Sequence, residues 1–316
     1  MSFLVIGECV ADIVRAPHRA DVAHAGGSPA NVAYGLARLG HPTTLLTQLG
    51  DDELGVLLRK HLDSAGVSVL SSGPPGMRTP SAVVTLDDEG KASYAFDIEW
   101  TLPAQTLPTQ TLPVQTPPTA GHIHIGSIAA VAAPGADATL ALAQSLSGQA
   151  TVSYDPNVRP ALMGERATAV ERVERCVAVA DVVKASDEDI SWLFPGGSDD
   201  GLDGTAARWL ASGPSVVIVT RGEAGAVAYT HDHVVSTAAR ATTVVDTVGA
   251  GDSFMAATLH ALAGLSRADL AALTPDRLRG LLDHGTTAAA LTVSRAGANP
   301  PDLAELAAAL ADVRGR

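Results

Sequence analysis

Asp246-Thr247-Val248-Gly249-Ala250-Gly251-Asp252-Ser253-Phe254 joins a β-branched run, Thr242 to Val245, to a long apolar-periodic stretch, Phe254 to Leu265. Two glycines flank an alanine, an acid follows, and a helix is expected to begin there. That order sets consecutive backbone N–H groups at a helix N-terminus, where the dipole is positive and the donors lack intrahelical partners. Such a turn binds an anion or a developing negative charge. An aspartate in the first turn beside it can accept a proton from an alcohol. Phosphoryl transfer needs both parts, an anion cradle and a positioned base. Taken alone, Gly-Ala-Gly-Asp is equally a tight turn followed by an acid that favours the helix dipole; the rest of the chain decides between the two.

Working outward, the next dense signal is Gly26-Gly27-Ser28-Pro29-Ala30-Asn31, continuing to Gly40. The glycine pair lets backbone approach a ligand closely. Ser28, or the turn before it, can cap the helix, and Pro29 suits its first position. Asn31 offers a donor and an acceptor to sugar hydroxyls, and Gly40 falls where a C-terminal cap belongs. Asp12, a lone acid after the first apolar run, is either a solvent-facing strand end or a hydroxyl acceptor in a crevice.

The chain alternates strand and helix patterns. Strands are expected at 3–6, 44–49, 122–125, 151–154, 181–185, 216–220, 225–229, 233–236 and 242–245. Helices are expected at 29–39, 53–65, 137–146, 166–180, 204–211, 252–265, 277–292 and 302–312. Near-continuous apolar strands separated by helices imply an α/β fold with a mainly parallel sheet covered on both faces and ligands beyond the strands' carboxyl ends. Val10–Arg15, Ser81–Leu86 and Lys91–Ile98, the last two joined by the turn-rich Asp87-Asp88-Glu89-Gly90, break the alternation and suggest a small separate sheet able to act as a lid. Tyr94, Phe96 and Trp100, near that hairpin, are placed to stack on a sugar face or to pack an edge strand. Residues 101–119 repeat Thr-Leu-Pro three times with Gln105, Gln110 and Gln115 between, a low-complexity surface connection.

Composition narrows the function. The net charge of −13, from 34 acids and 21 bases, disfavours nucleic acid and anionic membranes as partners. Two cysteines, Cys9 and Cys176, make neither a disulfide framework nor a zinc cluster and fit a cytoplasmic location. The start, Met1 to Gly7, reads as a strand and not a signal peptide, and no stretch has the length of a transmembrane helix. Of the three lysines, Lys91 follows Gly90 but precedes Ala92, so the chain lacks a P-loop. It also lacks a Gly-x-Gly-x-x-Gly after the first strand, which argues against a dinucleotide-dependent oxidoreductase.

Together, Gly26–Gly40 and Asp246–Ala256 resemble the two signatures of the PfkB (ribokinase-like) family of carbohydrate kinases, in order and far apart in the chain, and the resemblance spans nearly all of it. It implies a Rossmann-like ribokinase fold with a small β-sheet lid, one kinase domain over residues 1–316 with lid strands at about 10–25 and 80–100. It implies Asp252 as catalytic base and the amides of Gly249, Ala250 and Gly251 as the anion hole. Asp12, Gly27, Ser28 and Asn31 match the sugar-holding positions. The segment Asp155-Pro156-Asn157-Val158-Arg159-Pro160 is similar to fructokinase-like members, with Arg159 facing the cleft; the same residues also read as an Asx-Pro turn with a solvated arginine. Thr220-Arg221-Gly222-Glu223-Ala224-Gly225 resembles an ATP-binding loop, giving Thr220, Gly222 and Gly225 with Gly251 on the nucleotide side, and Lys184 lies in the same mouth. Ser186-Asp187-Glu188-Asp189 stands in place of an Asn-x-x-Glu motif, so Ser186 and Asp189 are expected near ATP and, through water, Mg2+. Asp246 with carbonyls of Val248, Thr292, Arg295 and Gly297 resembles a monovalent cation site, implying K+; Pro301 stands where some members have a serine. The expected activity is ATP-dependent phosphorylation of a primary hydroxyl of fructose or a similar ketose. Alternatives within the family are 2-keto-3-deoxygluconate, ribose or a nucleoside, and outside it a catalytically silent sugar-binding regulator. A homodimer through the lid is also implied.

Overall fold

The computed structural model describes residues 1–17, 20–86, 92–102, 120–196 and 201–314. The expected hairpin turn at 87–90 and nearly all of the Thr-Leu-Pro repeat fall outside these residues. Among the described residues a nine-stranded sheet runs in the order β13-β12-β11-β10-β9-β8-β1-β4-β5 and a four-stranded sheet in the order β3-β2-β6-β7. The large sheet uses β1 (Phe3–Ile6), β4 (Thr43–Thr47), β5 (Ser68–Ser71), β8 (His122–Gly126), β9 (Thr151–Asp155), β10 (Val182–Ser186), β11 (Val216–Thr220), β12 (Ala226–Tyr229) and β13 (Val234–Thr237). Its pairings are parallel from β5 across to β11, and antiparallel for β11–β12 and β12–β13.

The central strands are buried on both faces, as their apolar runs require. On one face Phe3, Val5, Val182, Val216 and Ile218 meet helices α1 (Ser28–Arg38), α8 (Ala250–Leu262) and α10 (Pro275–Val293), with α8 between the other two. The opposite face, with Ile6, Ile123, Ile125, Val152 and Tyr154, is covered by α3 (Ser127–Val131), α4 (Gly135–Leu146), α5 (Arg166–Val177), α6 (Asp187–Leu193) and α7 (Gly201–Ser212). Helices α2 (Glu53–Ser64), α9 (Arg267–Ala271) and α11 (Leu303–Arg314) complete the shell. Each fully buried Leu, Ile or Val contributes about 1.5–3 kcal/mol relative to exposure, so these two layers carry most of the fold's stabilisation.

The second sheet uses β2 (Val10–Arg15), β3 (Val22–Gly26), β6 (Ser81–Leu86) and β7 (Ala92–Asp97). β2 follows β1 after only three residues, so the small sheet grows from the carboxyl end of the large one. In register, His24, Asp12, Ala82 and Phe96 form one row across it. The strand β3 falls in the range of about 10–25 expected for lid strands, whereas the edge strand β5 lacks a strong sequence pattern and was not expected.

One expectation fails. Residues 242–245 form no strand; they are exposed, and Val245 N–H and Asp246 N–H both donate to the Val293 carbonyl at the end of α10, at 2.7 and 3.2 Å. Their β-branched side chains favour extended backbone, but no neighbouring strand offers a ladder. The segment hooks onto a helix end instead.

The entry to β6 is pinned by Asp52. Its carboxylate caps α2 by accepting from Gly55 N at 2.8 Å and also accepts from Thr79 N at 2.8 Å and Thr79 Oγ1 at 2.6 Å. Partial burial opposes the charge, but the Thr79 hydroxyl and the Thr79 and Gly55 amides outweigh it and hold the carboxyl below its ordinary range. Asp52→Ala should destabilise the protein by about 1–2 kcal/mol in urea melts. Because the folded-state carboxyl titrates lower than the unfolded one, this contribution is present above roughly pH 4 and is lost as pH falls through the folded value. The gap between wild type and variant should therefore narrow steadily as pH falls below about 4; a gap unchanged across the acid range would contradict the charge-based account.

Candidate active site

The loop before α8 turns through Gly249 at φ +76°, ψ 2°, a left-handed conformation that suits glycine. A Cβ there would also sit 2.6 Å from Ala298 Cβ, so the turn packs directly on the loop after α10. Asp246 ties the two loops together, its Oδ1 accepting from Val248 N at 3.0 Å and its Oδ2 from Gly297 N at 2.8 Å. These two amides hold its carboxyl below the ordinary range. The carbonyls of Thr292 and Gly297 already accept from Arg295 N at 3.0 Å and Asn299 N at 2.8 Å, and each oxygen keeps a second lone pair.

Asp252, in the first turn of α8, is buried at 9% exposure. Its Oδ1 accepts from Ser28 Oγ at 2.7 Å and its Oδ2 from Asn31 Nδ2 at 2.8 Å. Ser28 therefore does not cap α1: Gly27, at φ +96°, is the N-cap residue and makes no side-chain cap bond. The hydroxyl is spent on Asp252 instead. Gly27 is forced in a second way, because a Cβ would lie 2.7 Å from the Glu8 carbonyl. Two glycine turns, 222 residues apart in sequence, thus bring two helix N-termini to one point.

That point is the floor of a cavity of about 310 Å3. The Gly249–Asp252 turn, Gly27, Ser28 and Asn31 form one side, the ends of β1, β8 and β9 another, and the small sheet the roof, through Val10, Asp12, Ala82, Phe96 and Ile98. The open question over Asp12 is resolved: it faces the cavity, and burial pushes its carboxyl above the ordinary range against the pull of His24 and Arg159. A side chain on Gly26, beside it in the sheet, would collide with the Asp12 carboxylate. Arg159 reaches the cavity and donates to the carbonyls of Val158 at 3.0 Å and Asn157 at 3.5 Å. Asn157 sits at φ +37°, with its N–H on Asp155 Oδ1 at 3.1 Å, so the Asx turn and the cavity role coexist.

Behind the α8 turn lies a buried ion pair. Lys184 Nζ, in the middle of β10, is 2.7 Å from Asp155 Oδ2, at the end of β9. The ammonium would be 3.2 Å from a Cβ on Gly251, directly beneath the turn. Burial opposes its charge, but Asp155, Asp189 and Asp252 outweigh that and keep it protonated. Burial raises Asp155 to about 6, with Lys184 pulling it down. Ser186 and Asp189 form a capping box on α6, and Asp189 Oδ1 also accepts from Val158 N at 2.7 Å. Both Asp189 oxygens thus hold backbone. Thr220 ends β11 and Gly222 and Gly225 follow it, where a 3₁₀ turn over Gly222–Ala224 brings Arg221 N to the Gly225 carbonyl at 2.7 Å. Among the described residues no group of three or more His, Cys, Asp or Glu is arranged to hold a metal ion.

The aromatic expectation divides. Phe96 lines the cavity, whereas Trp100 is buried in the core with its Nε1 on Thr139 Oγ1 at 2.9 Å, so it cannot stack on a ligand. Tyr94's side chain lies outside the described part. Sequence reasoning missed Glu8, Ser127 and Ile128 as cavity residues. The available signal was position: Glu8 and Ser127 both follow the carboxyl ends of buried strands. It also missed a buried row under α8, in which His122 contacts Thr151 Oγ1 at 2.6 Å and Ser153 Oγ at 2.9 Å, and His124 contacts the same Ser153 oxygen at 2.9 Å. Burial drops both imidazoles to about 3, so they are neutral.

The comparisons with known proteins agree with this geometry. Residues 2–305 match the pattern described as the pfkB family of carbohydrate kinases. The chain belongs to that family. It is 34% identical to a fructokinase of Klebsiella pneumoniae over 275 residues, 86% of this chain and 88% of that one. It is 35% identical to a fructokinase of Rhizobium leguminosarum bv. trifolii over 239 residues, 76% of this chain and 72% of that one. Among solved structures, a Xylella fastidiosa fructokinase with bound ATP superimposes with a TM-score of 0.83 at 26% identity, covering 99% of each chain. A Vibrio cholerae fructokinase double mutant bound to fructose, ADP and potassium gives 0.81 at 26% identity, covering 98% of each. The large sheet with its helical layers and the separate small sheet are thus those of ribokinase-like sugar kinases, and the chain is a sugar kinase. Among the described residues no helix is long and apolar enough to cross a membrane.

Removing one partner of a buried pair leaves an uncompensated charge. Lys184→Met should lower stability by about 3–5 kcal/mol in chemical denaturation. Adding Asp155→Leu to it should restore much of that loss. If the single variant is as stable as wild type, the pair is not closed in solution.

Proposed function

We propose that the protein is an ATP-dependent fructokinase transferring the γ-phosphate to a primary hydroxyl of the ketose. The observation that carries the reading is the Asp252 carboxylate, fixed by Ser28 and Asn31 at the cavity floor and one turn from the α8 N-terminus. Asp252 is the base that accepts the hydroxyl proton. The amides of Gly249, Ala250 and Gly251 face the transferring phosphoryl group, and the Lys184 ammonium behind Gly251 adds positive potential there. Ala250 N–H makes a long bond, 3.3 Å, to the Thr247 carbonyl, which a phosphoryl oxygen can outcompete. Asp12, Gly27, Ser28, Asn31 and Arg159 hold the sugar, with the small sheet as a lid within a single kinase domain. Ser186, Thr220, Gly222, Gly225 and Gly251 line the nucleotide side.

The cavity's charge favours a neutral acceptor. Glu8, Asp12 and Asp252 face it against the single guanidinium of Arg159, so a sugar acid such as 2-keto-3-deoxygluconate meets repulsion. The names of the relatives point the same way. Mg2+ bound with ATP would neutralise phosphate charge, and Asp189, whose oxygens each retain a lone pair, can take its waters. Asp246 and the carbonyls of Val248, Thr292, Arg295 and Gly297 would hold K+, which would add charge and order beside the Gly249 turn. Exposed Val14 and Val22 on the small sheet support a homodimer formed lid to lid. The two buried unpaired thiols, Cys9 and Cys176, fit a cytoplasmic setting.

Asp252→Asn should leave the thermal midpoint and the fructose KM within a few-fold of wild type and cut kcat by roughly 10²–10⁴ in a coupled ADP assay. Turnover near the wild-type rate would overturn the assignment. Exchanging K+ for tetramethylammonium should slow wild-type turnover several-fold, about the scale of a partly screened charge interaction. In Asp246→Ala the rate should be low and indifferent to the exchange; a variant that still responds to K+ would place the ion elsewhere.

A further inference from the structure

On the cavity wall, β8 runs straight into α3 through Gly126-Ser127-Ile128. Ser127 stands at φ +54°, a left-handed conformation uncommon for a residue with a Cβ, and it is buried at 2% exposure. Such backbone persists only where its surroundings over-determine it. Two contacts do so here. A Cβ on Gly126 would lie 2.5 Å from the Asp155 carbonyl, so β8 presses against the end of β9. On the other side Glu8, just past β1, accepts from Ala129 N at 3.0 Å. The α3 N-cap, Gly126, has no side-chain cap bond, so Glu8 supplies that oxygen from another strand. Burial raises the Glu8 carboxyl, while the Ser127 hydroxyl and the amides of residues 8, 129 and 128 pull it down. Glu8, Ser127 and Ile128 all line the cavity, and the phosphoryl-transfer steps use none of them.

A serine hydroxyl has one proton and two lone pairs. On the cavity wall, Ser127 Oγ offers those lone pairs to a ligand hydroxyl. We propose that Glu8 is a positioning residue for the acceptor sugar: it clamps the strained Gly126–Ile128 turn so that Ser127 Oγ, on the Glu8 side of the cavity, accepts a hydrogen bond from a sugar hydroxyl other than the one phosphorylated. The clamp thereby selects a polyol with a free hydroxyl on that side. This rests on the fructokinase reading for the identity of the sugar. The nucleotide half of the site plays no part in it, so the two halves should separate in kinetics.

The test uses Glu8→Gln, Ser127→Ala and Ser127→Gly in the full-length protein. Fructose and ATP are varied separately, and fructose is titrated by calorimetry without nucleotide. Losing one neutral hydrogen bond predicts a fructose KM and Kd raised roughly 3- to 10-fold in both Ser127 variants, with kcat and ATP KM changed less than about 2-fold. Glu8→Gln should raise them by a similar factor or more, since its amide cannot accept on both sides. Ser127→Gly also removes the left-handed strain, so its thermal midpoint should hold or rise while sugar affinity still falls. Unchanged fructose KM and Kd in the two Ser127 variants, with only the midpoint moving, would overturn the proposal, whether or not Glu8→Gln folds. If the wild type binds fructose without phosphorylating it, the kinase reading falls while the titrations still decide this one. If another neutral sugar is the acceptor, the same affinity losses on that sugar support it. A wild type that neither binds nor phosphorylates any sugar overturns both.

Discussion

Two hydrogen bonds, from Ser28 and Asn31 to the carboxylate of Asp252, hold together parts of the chain more than 220 residues apart. They form only because α1 and α8 lie side by side and start at the same level. That register depends on close packing. Gly35 of α1 faces Ala256 of α8 so tightly that a Cβ would sit 2.8 Å from Ala256 Cβ, and Leu36, Met255 and Leu259 share one core cluster. With small residues at the crossing the helices approach, and the polar groups at their N-termini are carried into range. The geometry of the carboxylate is thus set by apolar contacts further down the same helices. A carboxylate with both oxygens already committed to neutral donors is oriented, and each oxygen keeps a lone pair for the proton of an incoming hydroxyl.

Much of this architecture was legible in the sequence because it follows from period and punctuation. Buried strands such as Val216–Thr220 carry apolar runs that have no other stable home, and α2 and α5 start within a residue of their sequence signals. Both glycine turns were legible because glycine, proline and a following polar residue constrain backbone and chemistry together. What was illegible is equally specific. The run Thr242–Val245 has strand composition but no partner, and pairing is a property of the whole sheet, not of the segment. Ser28 looked like a cap, and only the arrival of Asp252 from the far end of the chain gives its hydroxyl another use. Trp100 stood near the lid strands in sequence, but its indole N–H finds Thr139 in the core, and no local pattern encodes that choice. Phe96, opposite Ala82 of β6 and in the same row as Asp12, shows the converse.

The polar interior beneath α8 was hidden for a related reason. His122 and His124 alternate with isoleucines in a strand, a period-two pattern that normally marks a solvated face. Here that face is covered by helices. The two imidazoles survive there because Thr151 and Ser153 on the adjoining strand supply hydroxyls in register, and because burial keeps both rings neutral. Further along the same face the pattern ends in Asp155 and Lys184, where the groups are charged. The interior therefore passes from neutral hydrogen bonding to an ion pair as it nears the carboxyl ends of the strands.

That gradient explains how an acidic protein can present an anion-binding turn. With a net charge of −13 and three carboxylates facing the cavity, the field at the α8 N-terminus would be unfavourable to a phosphoryl group unless something local opposed it. The helix dipole supplies part, worth about 0.3–1 kcal/mol at an exposed end and more where water is excluded. Lys184 supplies the rest from behind, where its ammonium cannot be screened by solvent and cannot leave, because Asp155 holds it. Asp155 holds the ammonium with one oxygen and accepts from Asn157 N–H with the other, so the pair is fixed in place. The ammonium lies on the side of Gly251 that lacks a side chain, within 3.2 Å of where a Cβ would stand. Glycine at position 251 is then required less for backbone freedom than to leave nothing between that charge and the amides in front of it.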